Sequence, residues 1–402
     1  MTLRLHRLLL ALAVGVLVGG LPLGAWAQIE ELPRPEQAHA GSFGVSVALG
    51  DSIAAVGASG EAGCGPNAGA VYVYERVPRP QFDGWRVAAR LTPRTCRANA
   101  FFGENIALSD GRLLVSASSE YFAEERSNAA YMFARDTTGR WRQTARFTGE
   151  PGRKEGLFAA DIDLDGDRAV VSTSGSPEGD YGGAVYVYDY DPATETWARS
   201  ARLTGSQGVE AGVFGQTVAL YGNRLAVAAS TYFERRPGTV YVFRRDADTA
   251  SWREVAILRD IEAFQIDLDL YDATLVVGED RAGDGNAGRA TVYSEAQDGT
   301  WTKSHTLRPA FPYESGGFGG TVSVGGTWAL ATGYDEQLDK EFNIDRVVYV
   351  FRRREGPTWT QHTILDVGEV DFGAALDQNR GMVLVSSVPP DGPGTVYVAQ
   401  LH

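Results

Sequence analysis

The chain has 402 residues, of which 44% are hydrophobic and 10% aromatic, and it carries a formal charge of −14 at pH 7. So acidic a protein is a poor partner for nucleic acid or anionic membrane, and its charge favours solubility or cation binding. The length alone would suggest two or three domains, a prior that the internal repeat described below replaces with one.

Residues 1–27 read as an export signal. Arg4 and Arg7 start it, Leu8 to Val18 form an apolar run, and Ala25-Trp26-Ala27 resembles a cleavage site. Gly19, Gly20, Pro22 and Gly24 break the run short of the ~20 apolar residues that a membrane span needs. Cleavage after Ala27 removes two arginines and leaves a mature chain of charge −16 that starts at Gln28, secreted or periplasmic and without a membrane span.

From residue 28 to 402 a single unit recurs. Its anchors are Phe43, Phe102, Phe158, Phe214, Phe264, Phe318 and Phe372, spaced by 50 to 59 residues. After each Phe come a short alternating strand, an apolar strand, a Tyr-rich strand, and a strand that opens on Trp. In the first unit these are Phe43 to Leu49, Ile53 to Ala58, Ala70 to Tyr74 and Trp85 to Leu91. Period-2 alternation and β-branched or aromatic residues support each strand, and Gly, Asp and Pro supply the breaks. Seven units of four strands predict an all-β fold, a seven-bladed β-propeller of antiparallel blades.

The fourth strands are Trp85/Leu91, Trp141/Phe147, Trp197/Leu203, Trp252/Leu258, Trp301/Leu307 and Trp359/Leu365, each pair six residues apart. An even spacing puts both side chains on one face of the strand, and a Trp fixed in every unit reads as blade packing rather than as a sugar platform. The seventh unit ends after its third strand. Leu32 precedes Phe43 by 11 residues, as Leu91 precedes Phe102, so Gln28 to Pro33 is expected to supply the missing outer strand and close the ring.

These units resemble the FG-GAP repeat family, which builds the integrin α-subunit head and includes secreted bacterial members. The resemblance rests on Phe43-Gly44, Phe102-Gly103, Phe214-Gly215, Phe318-Gly319 and Phe372-Gly373, and on the Gly-Ala-Val-Tyr-Val-Tyr at 69–74. Phe158-Ala159 and Phe264-Gln265 depart from it. The resemblance implies a propeller with a binding or cell-adhesion role. The family's calcium loops do not carry over, because the first two strands of each unit are joined by tight turns such as Asp110-Gly111 and Asp165-Gly166. Asp161, Asp163 and Asp165 mimic the start of a calcium loop, but Ala169 and Ser172 fall where later ligands belong.

Three and five residues after the anchors, Asp161, Asp163, Asp267, Asp269 and Asp377 fall on innermost strands and gather around one channel. Such a cluster holds a weakly bound cation or raised pKa values, and a water-filled acidic channel without a cofactor is the plainer reading. His39, His305, His362 and His402 are scattered, and neither H-E-x-x-H nor G-x-S-x-G occurs, so no catalytic residue is assigned.

Cys64 and Cys96 lie in loops that strand alternation puts at the same end of the ring, and outside the cytoplasm they are expected to pair. That end also collects the acidic loops 120–126, 177–181, 279–284 and 335–345, interleaved with Tyr121, Phe122, Tyr181, Tyr232, Phe233 and Tyr334. This face is the candidate binding surface for an extracellular protein or glycan, presented by a monomer. The alternative is a secreted polysaccharide hydrolase or lyase that uses loop carboxylates.

Overall fold

A computed structural model describes residues 28–39, 42–78, 84–118, 128–150, 156–175, 182–207, 213–230, 237–263, 265–335, 345–354, 356, 358–389 and 392–402. Residues 1–27 lie outside this set, as does the anchor Phe264. The described strands form seven four-stranded antiparallel sheets. In blades one to six the strands run in sequence order from the axis outward. Their inner strands are Phe43–Leu49, Phe102–Ser109, Leu157–Asp165, Val213–Tyr221, Leu268–Tyr271 and Val322–Gly325.

Blade seven is built from both ends of the chain. Its strands Phe372–Asn379, Met382–Ser387 and Thr395–Gln400 are followed outward by Gln28–Glu31, which pairs Gln28 with Gln400 and Glu31 with Tyr397. The Leu32 N–H continues the ladder to the Val396 carbonyl (2.8 Å), and the Leu32 side chain is buried. The expected closure is therefore the observed one.

The hydrophobic core is distributed over seven seams, one between each pair of neighbouring blades. Alternation along the third strand explains how one blade serves two seams. In blade one, Tyr72 and Tyr74 pack toward blade seven, whereas Val71 and Val73 pack toward blade two. Each described anchor Phe meets its own blade's Tyr obliquely or edge to face, as Phe43 meets Tyr72 with ring centroids 5.9 Å apart. Such pairs add about 1 kcal/mol to what ring burial contributes. The Gly after the anchor lets the inner strand approach the preceding blade. At Gly103, with φ +93°, a Cβ would lie 2.7 Å from the Ala70 carbonyl oxygen.

The outer strands correct one expectation. Each of the six Trp-opened strands carries a bulge, so Trp85 pairs with Arg76 while Leu91 pairs with Val71. The extra residue turns the end of the strand over. Trp85 therefore joins the seam with blade seven and Leu91 the seam with blade two. The Trp residues are packing residues, as expected, but Trp and Leu face opposite ways and each outer strand locks both of its neighbours.

Candidate functional site

The inner strands of all seven blades surround a channel of about 920 Å³. An inner strand is a sheet edge, and its outward N–H groups need acceptors. In blade three the period-2 set Asp161, Asp163 and Asp165 supplies them to blade four. The Val218, Leu220 and Gly222 N–H groups donate to the respective Oδ2 atoms at 2.8, 2.6 and 2.6 Å. In the same way Val322 and Val324 of blade six donate to Asp267 and Asp269 of blade five, both at 2.7 Å. Leu49 of blade one donates to Asp377 of blade seven at 2.7 Å.

The acids of the sequence reading thus do come together, as side-chain clasps from blades three, five and seven onto the next blade. Between them, Ser46, Asn105 and Thr217 reach forward in the opposite chemical sense and donate to the carbonyls of Gly103, Ala160 and Ile266. The Asp-x-Asp-x-Asp-Gly run at 161–166 lies in the strand Leu157–Asp165 and its tight turn. Its carboxylates meet backbone N–H groups where a calcium loop would aim them at an ion. Among the described residues, no three Asp, Glu, His or Cys side chains converge in a way that could hold a metal ion.

These carboxyls are half-buried by area, and the surface they keep faces the narrow channel. Desolvation there, opposed by the donated N–H groups and reinforced by neighbouring acids, lifts Asp161 and Asp377 to about 8 and Asp163 and Asp267 to about 7. Asp269 is raised for the same leading reason. Sequence spacing located the acids but missed the clasp. The signal was the alternation itself, with acids in blades three, five and seven facing neutral small residues in blades four, six and one.

At the end of the ring that carries the second-to-third strand loops, Cys64 and Cys96 form a disulfide with Cα atoms 6.1 Å apart. Of the predicted surface aromatics, Tyr121, Phe122, Tyr181, Tyr232 and Phe233 lie outside the described residues. Tyr334 is exposed and packs beside Gly317 of the crossover that also carries Phe311, 69% exposed. The burial of acids at this end escaped the sequence reading. Glu61 accepts from the Tyr72 hydroxyl (2.5 Å) and from Arg90 Nε (2.8 Å), and Tyr349 donates to Asp335 (3.0 Å). Burial, then the Glu61 contact, pushes the Tyr72 hydroxyl up to about 12.

Seven four-stranded blades around a polar channel define a seven-bladed β-propeller. The FG-GAP repeat model matches residues 26–74 and 197–243, and with the seven blades it makes the chain an FG-GAP repeat β-propeller, a class that serves in general as a protein-interaction module. No curated protein matches the sequence. Among solved structures, a putative 6-phosphogluconolactonase from Bacteroides uniformis is similar at 12% identity and TM-score 0.52, covering 81% of this chain and 85% of that one. A hypothetical selenium-binding protein from Sulfolobus tokodaii is similar at 9% identity and TM-score 0.51, covering 78% and 75%. At such identities these likenesses concern the fold alone. No helix among the described residues is long and apolar enough to cross a membrane.

Proposed function

We propose that the protein is an exported, non-catalytic binding module that engages an extracellular protein or glycan through the end of the ring carrying the disulfide. The observation that carries this reading is the construction of that end. The described second-to-third strand loops of blades one and five are held against the following crossovers by backbone hydrogen bonds, the first also by the Cys64–Cys96 bond, while Phe311 and Tyr334 stay exposed. Rigid scaffolds that display exposed aromatics bind at low entropic cost. Export through residues 1–27 fits this picture, because cleavage after Ala27 would free Gln28, the first residue of the closing strand.

The test is a glycan and protein binding screen run beside a reducing-sugar release assay on the mature chain. Saturable binding without turnover is expected, weakened at least tenfold by Tyr334→Ala with Phe311→Ala. Turnover abolished by a single loop carboxylate substitution would overturn the reading in favour of the hydrolase or lyase.

A further inference from the structure

The channel carboxyls lie on three of the seven seams and each holds two backbone donors. Asp163, Asp269 and Asp377 accept with Oδ1 from the next N–H of their own strand (2.7 Å each) and with Oδ2 from the neighbouring blade. Both oxygens are thus occupied on the wall side, and the remaining lone pairs face the lumen. A proton placed there leaves every clasp in place, because a neutral carboxyl still offers both oxygens as acceptors. A negative charge placed there is crowded by its own kind.

The surroundings supply little to offset that charge. Asp161 faces Asp163 on its own strand and Asp267 across the lumen; Asp163 faces Asp165 and Asp269; Asp377 faces Asp269 and Asp163. Among the described residues, Arg346 on the third strand of blade six acts on Asp267, and its guanidinium already donates to the hydroxyls of Thr321 and Thr332; Arg380 at the channel mouth pairs with Asp51, and Asp110 lines the same mouth. The inner strands packed on either side contribute Glu104 in blade two and Tyr221 in blade four, and those of blades one and six contribute no ionisable side chain.

We propose that this carboxyl set is a proton-operated clasp: the ring is tightest when Asp161, Asp163, Asp267, Asp269 and Asp377 carry protons, and it loosens at the seams three–four, five–six and seven–one as they ionise. The raised pKa values fix the sign and the window. A carboxyl that binds its proton more tightly folded than unfolded contributes stability that is fully present below its unfolded value near 4. That stability is lost as pH rises through about 7 to 8. The seam between blades seven and one joins the blade assembled from both chain ends; Asp377 clasps it inside the channel, and Asn379 and Arg380 donate to Asp51 at the channel mouth.

His362 acts with the opposite sign. Burial and the nearby Arg352 lower its pKa, so its contribution is lost as pH falls. The two effects are therefore separable by direction.

Thermal unfolding of the mature chain between pH 5 and pH 8, in chelator, tests the clasp. The melting temperature is expected to fall by ~5 °C or more across that interval. Asp161→Asn with Asp267→Asn and Asp377→Asn should remove more than half of the slope. If the triple variant does not fold, Asp377→Asn alone should remove about a fifth of it. A melting temperature that is flat or rises from pH 5 to 8, or a full slope retained in Asp377→Asn, would overturn the proposal. Calcium titrated at pH 8 gives a second reading: slope restored by a proton but not by the metal supports the clasp, whereas a saturable calcium gain equal to the proton's would make the channel a cation site instead.

Discussion

Two loop pairs at the same end of the ring are built alike and finished differently. In the first, the residues before Gly69 lie against the crossover into blade two; in the second, those before Gly288 lie against the crossover into blade six. Asn99, Phe101 and Phe102 donate to the carbonyls of Pro66, Asn67 and Ala68, and Ser315, Gly317 and Phe318 donate to Gly285, Asn286 and Ala287. Each zipper ends in a parallel bridge, Gly69 to Phe102 and Gly288 to Phe318. Both contain Asn-Ala-Gly with the Asn at positive φ, 49° and 60°. The first pair adds a disulfide, and the second adds a more fully buried Glu279 with four donors. One scaffold has been locked once by a covalent bond and once by a charge network.

The shared part is the glycine, and breaking it should have the largest effect. A Cβ at Gly69 would lie 2.1 Å from the Phe102 carbonyl oxygen, and at Gly288 it would lie 2.2 Å from the Phe318 carbonyl oxygen, with φ of +81° and +82°. Backbone cannot retreat as a flexible side chain can. Gly69→Val and Gly288→Val are each expected to cost more than about 4 kcal/mol in urea unfolding. Near-equal losses would show that the zipper, and not its covalent or ionic finish, sets the seam. A loss under about 1 kcal/mol at Gly69 alone would mean that the disulfide carries that loop pair by itself.

This comparison also marks how far the sequence could be read. Period-2 strands, the seven Phe anchors and the 11-residue spacing of Leu32 were enough for blade count and closure, because those features are repeated and each copy checks the others. The Trp/Leu spacing misled about facing, since a bulge adds one residue without changing composition. Cys64 and Cys96 were legible because strand alternation alone assigns loops to ends of the ring. The clasps by Asp161, Asp267 and Asp377 were not, because a carboxylate's partner there is backbone of a neighbouring blade 55 to 57 residues away, or 328 for Asp377 and Leu49. Glu61 and Glu279 look like solvated loop acids until the fold buries them.

The covalent finish comes next in size. Closing a loop across the 32-residue separation of Cys64 and Cys96 restricts the unfolded chain and contributes about 3.7 kcal/mol by loop entropy. Cys64→Ser with Cys96→Ser should lower the unfolding free energy by that amount, and reductant should do the same to the parent and nothing further to the variant. Alkylation followed by mass spectrometry of the unreduced chain should leave both thiols unmodified. A variant as stable as its parent would show that the backbone zipper with its buried glutamate suffices, as between blades five and six, where no disulfide joins the described loops.

The ionic finish should give the smallest of the three effects, and the two copies should differ in a defined order. Glu279 is 1% exposed and accepts from Arg289 at 2.6 and 3.1 Å, from the Glu262 N–H at 3.2 Å and from the Thr291 hydroxyl. Glu61 is 5% exposed and serves Arg90 and Tyr72. Glu→Gln keeps the shape but removes the charge and turns one acceptor into a donor, so a neighbouring N–H or O–H loses its partner. Because each arginine keeps some contact with water, the cost is a fraction of that for a fully buried pair, about 2 kcal/mol at Glu279 and about 1 at Glu61. Glu61→Gln carries an independent reporter. Its charge helps hold the Tyr72 hydroxyl at about 12, so an ultraviolet titration of the variant should find one tyrosine ionising at lower pH while burial keeps it above the ordinary value. An unchanged tyrosine titration with intact stability would mean that Glu61 does not engage Tyr72 in solution, and the likeness between the two loop pairs would then end at their backbone.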